Sequence, residues 1–352
     1  MAIQLSDAEL ALMITSLRRM LDSRWPTERA VELAANVDEG RRFFQSLQEL
    51  GLGAALGASE DIGLDMALLI CQELGRASCP LPLIGVWVAN RLLHHCQEHP
   101  VRGFMDAVGS GEAFPGLALG SFDGDPAAGE IRVADGRVTG TLAFVEGASI
   151  ATHLVLFAAE PAGVAIVRAD EAGVRISPTP GLALPPLSAV ELDAPLFVWS
   201  SSNDRALFDA SILVRLANAA RALGSSQRAF DLTVEYAKVR RQFGHAIGEF
   251  QAIQHKLADC LTRLDGSRIS LSTAAKAFDR NDPQWPIFAN AALAFSGPAL
   301  RQVLLESHHT MGAIGYSEEH ELPRHFRRVH ADLVRFGGVK HARAALADHL
   351  LA

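Results

Sequence analysis

The chain has 352 residues, enough for two or three domains, and 40 acidic against 32 basic residues leave a formal charge of −8. Hydrophobic residues make up 49% and charged residues 20%, so a large core is expected and disorder over most of the chain is excluded. The acidic balance argues against a nucleic-acid partner, no apolar run reaches the roughly 18 residues of a membrane span, and no basic-then-apolar leader opens the chain.

Residues 1–104 read as a helical domain. Ser6 is placed to cap a first helix, with Asp7 and Glu9 in its first turn, where the dipole favours acids. Leu10, Met13, Ile14, Leu17 and Leu21 then recur at steps of three and four. Further helices are predicted over 39–50 with Gly51 as the C′ residue, over 65–74 ending near Gly75, and over 86–95. Cys71, Cys79, Cys96 and Cys260 are scattered without CxxC spacing, which fits reduced thiols in a cytoplasmic protein.

Residues 105–202 read as a small antiparallel β-domain. Asp135-Gly136 stands between two β-prone runs and supplies the positive φ of a tight hairpin. Residues 154–157, 164–167 and 174–176 are further short strands.

Residues 203–352 read as a helical bundle. Leu213, Leu216, Ala220, Leu223, Phe230, Val234 and Ala237 hold one stripe along a helix too long for an ordinary surface element. Gly244 and Gly248 break it, and Ile253, Leu257, Leu261 and Leu264 begin the next helix. Pro283 and Pro286 open a third near Ile287, a fourth covers 323–334, and a last one follows Gly337-Gly338. The fold class is α+β, in the order helical domain, β-domain, helical bundle.

The corner at 236–259 is the most informative segment. Arg240 and Arg241 stand at a helix C-terminus, followed by Gln242, Phe243, two glycines and Gln251. An arginine beside an aromatic ring and amide groups can hold a diphosphate and stack near an adenine. The same residues also suit a helix C-cap with a solvated basic end. His308, His309, His320, His325 and His330 are dense near Glu318 and Glu319, but the i, i+4 spacing of a metal site is missing, so no metal is expected. Cys260 falls on an apolar stripe as a core thiol, and neither a Gly-x-Ser-x-Gly elbow nor a phosphate-binding glycine loop occurs.

This corner resembles the helix-turn-helix signature of the acyl-CoA dehydrogenase family. The resemblance extends to Glu49-Leu-Gly-Leu, Glu73-Leu-Gly-Arg76, Pro186-Leu-Ser-Ala-Val-Glu-Leu and the glycine turn from Met311 through Tyr316 to Leu322. It implies an FAD shared between two subunits, with Arg240, Gln242 and Phe243 on its diphosphate and adenine side. Gln251 and the Gly312-Ala313 backbone would lie on the same half, as would His309, where the family often has Gln. Backbone can approach a diphosphate closely only where no Cβ intervenes.

The family reaction removes an α-proton from a thioester and needs a carboxylate base. The two family positions for that base are occupied here by Phe336 and Val214, which cannot accept a proton. Asp332 is the fallback acid, with Glu318 and Glu319 nearby, and each also suits a solvated or capping role. Residues 119–125 and 144–147 do not match the family's flavin-ring loops. Arg215 matches a family arginine near the active site; substrate binding and a structural ion pair both remain open for it.

The half of the cofactor site lent to a neighbour is thus retained and the reactive half eroded. The resemblance implies the base-lacking subunit of an α2β2 acyl-CoA dehydrogenase acting on a bulky, steroid-like acyl-CoA, with an electron-transfer acceptor as a further partner. The alternatives are a self-sufficient homotetramer with a displaced acid and a non-catalytic scaffold subunit.

Overall fold

The computed structural model describes residues 7–52, 56, 62–79, 83–93, 99–118, 131–158, 163–179, 181, 187–201 and 204–351. Six helices come first: α1 (Asp7–Arg24), α2 (Ala30–Ala35), α3 (Val37–Glu49), α4 (Leu64–Arg76), α5 (Leu83–Leu93) and α6 (His99–Ser110). The α1 cap expected at Ser6 and the α5 end expected at His95 lie outside the described residues. In α3 the Asn36 side chain accepts from the Asp38 and Glu39 amides, both at 3.1 Å, which satisfies two of the free N–H groups at the helix start. Phe43, Phe44 and Leu47 form its buried face, and Gly51 with φ +75° ends the segment as expected.

Two four-stranded sheets follow. The first has the order β1 (Pro115–Ala118), β4 (His153–Ala158), β5 (Gly163–Arg168), β8 (Val198–Ser201). The second has the order β2 (Arg132–Ala134), β3 (Arg137–Glu146), β7 (Leu187–Pro195), β6 (Val174–Pro178). The expected antiparallel β-domain thus consists of two sheets, within which only β1 with β4 is a parallel pair among the described strands. Parallel pairing joins distant segments and leaves no hairpin signal in the chain. The β2–β3 hairpin forms as expected, with Asp135 at φ +50° and Gly136 at φ +72°.

The bundle comprises α7 (Asp204–Val239), α8 (Gln251–Asp279), α9 (Trp285–Met311), α10 (Leu322–Val334) and α11 (Gly338–Leu351). A two-stranded ribbon, β9 (Arg241–Gln242) with β10 (His245–Ala246), joins α7 to α8. Residues 210–226 of α7 are buried on every face, so the helix is the central pillar rather than a one-sided amphipathic element. α8 starts where Ile253, Leu257, Leu261 and Leu264 were expected to begin it; Leu264 is buried and Leu261 is 44% exposed.

α4 ends at Arg76, next to Gly75 as expected, and its contact with α7 gives that glycine a packing role. Gly75 lies inside α4, and a Cβ there would stand 1.9 Å from the Arg221 carbonyl oxygen. Reciprocally, a Cβ on Gly224 of α7 would stand 1.8 Å from the Gln72 carbonyl oxygen. The two glycines let the helix backbones touch. The N-terminus of α4 is capped from the bundle, since the Asp279 carboxylate accepts from the Leu64 and Asp65 amides at 2.7 and 3.1 Å.

Gly224→Ala is expected to destabilise the protein by about 2 kcal/mol or more, because backbone cannot yield as a side chain would. Gly103→Ala, with open space around the new methyl group on the exposed face of α6, is expected to stabilise by about 0.5–1 kcal/mol. Denaturant unfolding of both variants checks the pair.

Candidate functional site

The corner after α7 is a rigid ribbon presenting an exposed ring. The last helical bond runs from the Arg240 amide to the Tyr236 carbonyl at 2.9 Å. Gln242 pairs with His245, so Phe243 and Gly244 form a two-residue turn with φ +51° and +83°. Gly244 takes this conformation freely. Phe243 does so at a cost of about 1–2 kcal/mol, and its side chain is 90% exposed. The turn is tied from below by Glu249, which accepts from the Ala246 amide at 3.1 Å and lies 3.0 Å from His245. The His245 hydrogen bond, more than the amide, holds the Glu249 carboxyl below its ordinary range.

Gln251 begins α8 beside this turn and is exposed. Antiparallel packing of α8 on α9 brings that end to the glycine turn, as the Lys256–Glu306 pair at 2.9 Å shows. Gly312 follows α9 at φ +63°, with nothing within 4 Å of where a Cβ would stand. His309 is exposed one turn before Ala313, 3.7 Å from Glu306. The Arg240 guanidinium has no partner among the described residues. An unpaired cation, an exposed aromatic ring, a carboxamide, an open glycine backbone and the positive end of α8 are thus gathered at one end of the bundle. These donors fit the ADP half of a dinucleotide.

The seam beneath β3, α7 and α10 is built differently. Arg221 of α7 donates to both oxygens of Asp332 at 3.0 and 2.6 Å, and to both oxygens of Glu146 at the end of β3. Arg335 donates to the same Glu146 at 2.5 Å. Burial alone would push the Glu146 carboxyl up, but Arg221 and Arg335 outweigh it and bring it down to about 2. Arg328 is fully buried next to this lattice. One of its Nη groups donates to the Cys79 carbonyl at 3.2 Å, while Nε and Nη1 have no partner. Burial and then the neighbouring Arg221 bring it down to about 10. The buried Cys71 thiol nearby is pushed up to about 12 by desolvation.

Asp332 was the fallback proton acceptor. The structure corrects this: its carboxylate is fully buried and doubly bonded to Arg221, so it is a lattice member rather than an acid facing a substrate. Val214 lines a cavity of ≈ 20 Å³ together with Ile84, Gly85, Leu117, Glu146, Asn218 and Arg335. That is room for about one water. Residues 119–125 and the Phe336 side chain lie outside the described residues. Arg215 is 6% exposed and bonds only to Ser211, at 3.3 and 3.5 Å. It has no carboxylate partner among the described residues, and burial brings its guanidinium down to about 10.

Glu318 pairs with Arg327 at 2.9 Å, and Glu319 bonds to Ser317 on the surface. The histidines do not converge: among the described residues no group of three or more His, Cys, Asp or Glu side chains is placed to hold a metal. Cys260 is buried, and desolvation pushes its thiol up to about 11. The Glu146–Arg221–Asp332–Arg335 lattice was not foreseen from sequence. A signal was present, since Arg221 interrupts an otherwise apolar run at Ala220 and Ala222.

The family model for the acyl-CoA dehydrogenase C-terminal domain matches residues 213–351. Acyl-CoA dehydrogenase IpdE2 of Mycobacterium tuberculosis is 29% identical over 313 residues, 86% of this chain and 85% of that protein. Acyl-CoA dehydrogenase FadE34 of the same organism is 30% identical over 307 residues, 84% of this chain but 40% of that longer protein. Among solved structures, the Tcur3481-Tcur3483 steroid ACAD superposes with TM-score 0.86 at 25% identity, covering 98% of each chain. The ChsE4-ChsE5 complex of Mycobacterium tuberculosis superposes with TM-score 0.85 at 22% identity, covering 100% of this chain and 99% of the other.

Glu146→Gln leaves two buried guanidiniums short of a counter-charge and is expected to cost about 3–5 kcal/mol in chemical unfolding. Because the Glu146 carboxyl is lowered from 4.5 to about 2, its contribution is present above pH 4.5 and is lost as pH falls toward 2. Acid titration followed by circular dichroism should show this loss, and Glu146→Gln should flatten the profile in that window.

Proposed function

Because the chain belongs to the acyl-CoA dehydrogenase family of FAD-dependent oxidoreductases, we propose that it is the base-lacking subunit of a two-chain dehydrogenase that desaturates a bulky, steroid-like acyl-CoA. The observation that carries this reading is the contrast between the two centres. Among the described residues the corner at Arg240 and Phe243 is open and unpaired, whereas the cavity lined by Val214 and Glu146 is ≈ 20 Å³. A ring system and a thioester do not fit the latter.

FAD, when bound, supplies the hydride acceptor for the desaturation. In this reading the Arg240 guanidinium offsets the diphosphate charge, the Phe243 ring covers the adenine side, and Gln242 and Gln251 offer carboxamides. The backbone at Gly312 and Ala313 admits close approach, and His309 donates a hydrogen bond. The partner chain supplies the carboxylate that takes the α-proton and houses the reactive ring. An electron-transfer acceptor completes the set of partners. The names of the steroid ACAD and of the ChsE4-ChsE5 complex support the substrate class and the two-chain arrangement. No described helix is long and apolar enough to cross a membrane. The free, buried Cys71, Cys79 and Cys260 fit a reducing compartment, so the assembly is assigned to the cytoplasm.

Expression with candidate partner dehydrogenase chains, followed by flavin absorbance, tests the proposal. The chain alone should hold little flavin, and the complex should hold FAD and turn over. Arg240→Ala should weaken FAD retention in the complex at least about tenfold, a loss of about 1.4 kcal/mol. Unchanged flavin content would favour the scaffold alternative, and a flavin-loaded, active homo-oligomer would defeat the two-chain reading.

A further inference from the structure

A second cavity, of ≈ 270 Å³, lies between the end of α9, the glycine turn and α10. Leu305, His308, Tyr316, Glu318, Phe326 and Arg327 line it, and none of Arg240, Gln242, Phe243 or Gln251 does. It falls just below the roughly 300–1,000 Å³ of sites for drug-sized molecules, so neither a whole FAD nor an acyl-CoA is accommodated.

Its walls are aromatic. The His308 ring lies 4.8 Å from Tyr316 at 36° and 4.8 Å from Phe326 at 87°, while Phe326 lies 4.1 Å from His330 at 33°. Tyr316 is 65% exposed, so one side of its ring is braced and the rest is open. Polar atoms are buried there without partners. His308 is 4% exposed and neither ring nitrogen has a hydrogen-bond partner within normal geometry among the described residues, although the Gly315 backbone is near enough to oppose part of the effect of burial on the ring. The Nε of Arg327 is also buried and unpaired. Burial lowers the His308 imidazole, leaving it neutral at pH 7 with one donor and one acceptor. At the mouth, Glu318 and Arg327 face each other through bonds of 2.9 and 3.2 Å and cancel in charge.

A neutral, ring-walled recess with unpaired donors and acceptors suits an uncharged planar heterocycle rather than a phosphate or an acyl chain. We propose that this cavity binds a purine nucleoside moiety, with the base against Tyr316 and Phe326, its edge hydrogen-bonded by His308, and the ribose at the Glu318–Arg327 pair. A carboxylate is a natural acceptor for ribose hydroxyls. The moiety can be a free nucleoside or the adenosine end of a larger molecule. The proposal does not depend on the two-chain reading, since every group it uses belongs to this chain.

Calorimetric titration of the purified full-length protein with adenosine tests it, with ribose, coenzyme A and FAD as companion ligands. Adenosine should bind saturably at one site per chain and ribose should not. Tyr316→Ala should weaken adenosine at least roughly tenfold, the loss of one stacking partner, while Arg240→Ala should leave it unchanged. Coenzyme A binding that depends equally on Tyr316 would identify the adenosine end of a larger molecule, and adenosine binding without it a free nucleoside; both support the site. Three results would overturn it: no saturable adenosine binding, adenosine binding that Tyr316→Ala leaves intact, or binding that Arg240→Ala abolishes, which would put the base in the FAD corner.

Discussion

The full burial of Arg221 is the constraint on which the rest of the structure depends. A guanidinium removed from water on the central pillar of the bundle must find carboxylates in fixed places. It finds Glu146 at the end of β3 and Asp332 on α10, so three elements distant in sequence are held in one register. Arg335 joins through Glu146, which carries the tie past the end of α10. Such a lattice adds little net stability compared with apolar packing. Its effect is geometric, because any arrangement that separates these groups leaves a charge stranded in a low dielectric.

The same lattice governs what the seam can do. Glu146 and Arg335 line its remaining space, with Asn218 alongside, and Ile84, Leu117 and Val214 close the other walls. Chemistry needing a mobile proton acceptor is incompatible with carboxylates held this tightly by arginines. The opposite end of the bundle has inverse properties. There, Phe243 sits in a strained backbone conformation with its ring in water, and Arg240 has no ion-pair partner among the described residues. Strain and exposure of that kind persist where the surrounding structure imposes them, and they are common at ligand sites. In the glycine turn after α9, Gly312 has open space where a Cβ would stand, and Tyr316 closes one wall of the aromatic recess.

Much of the fold was legible because its signals are local. Asp135-Gly136 specified its hairpin through positive φ, and Gly51 its helix end. The corner from Arg240 to Gln251 was legible as a two-glycine turn, and Phe243 added a second left-handed residue that sequence alone would not assign to an aromatic side chain. Gly75 is legible as lying near the end of α4, but the need for a glycine there is not. Its role is set by Arg221, 146 positions away, whose carbonyl occupies the space of the missing Cβ. Leu261 marks the start of α8 but stays partly exposed, because periodicity marks apolar faces, not what covers them.

The sequence by itself determined the order of helical and β segments, the positions of the tight turns and the family, since these follow from hydrophobic period, backbone freedom and long local motifs. It also determined that both expected base positions hold apolar residues. Only the tertiary structure decided that Asp332 and Glu146 are locked by arginines, that α7 is buried on all sides, and that His308 lines a recess with unpaired nitrogens. Whether a charged or polar side chain is a reagent or a tie depends on which groups meet it across the core, and those partners come from remote parts of the chain whose approach no local pattern encodes.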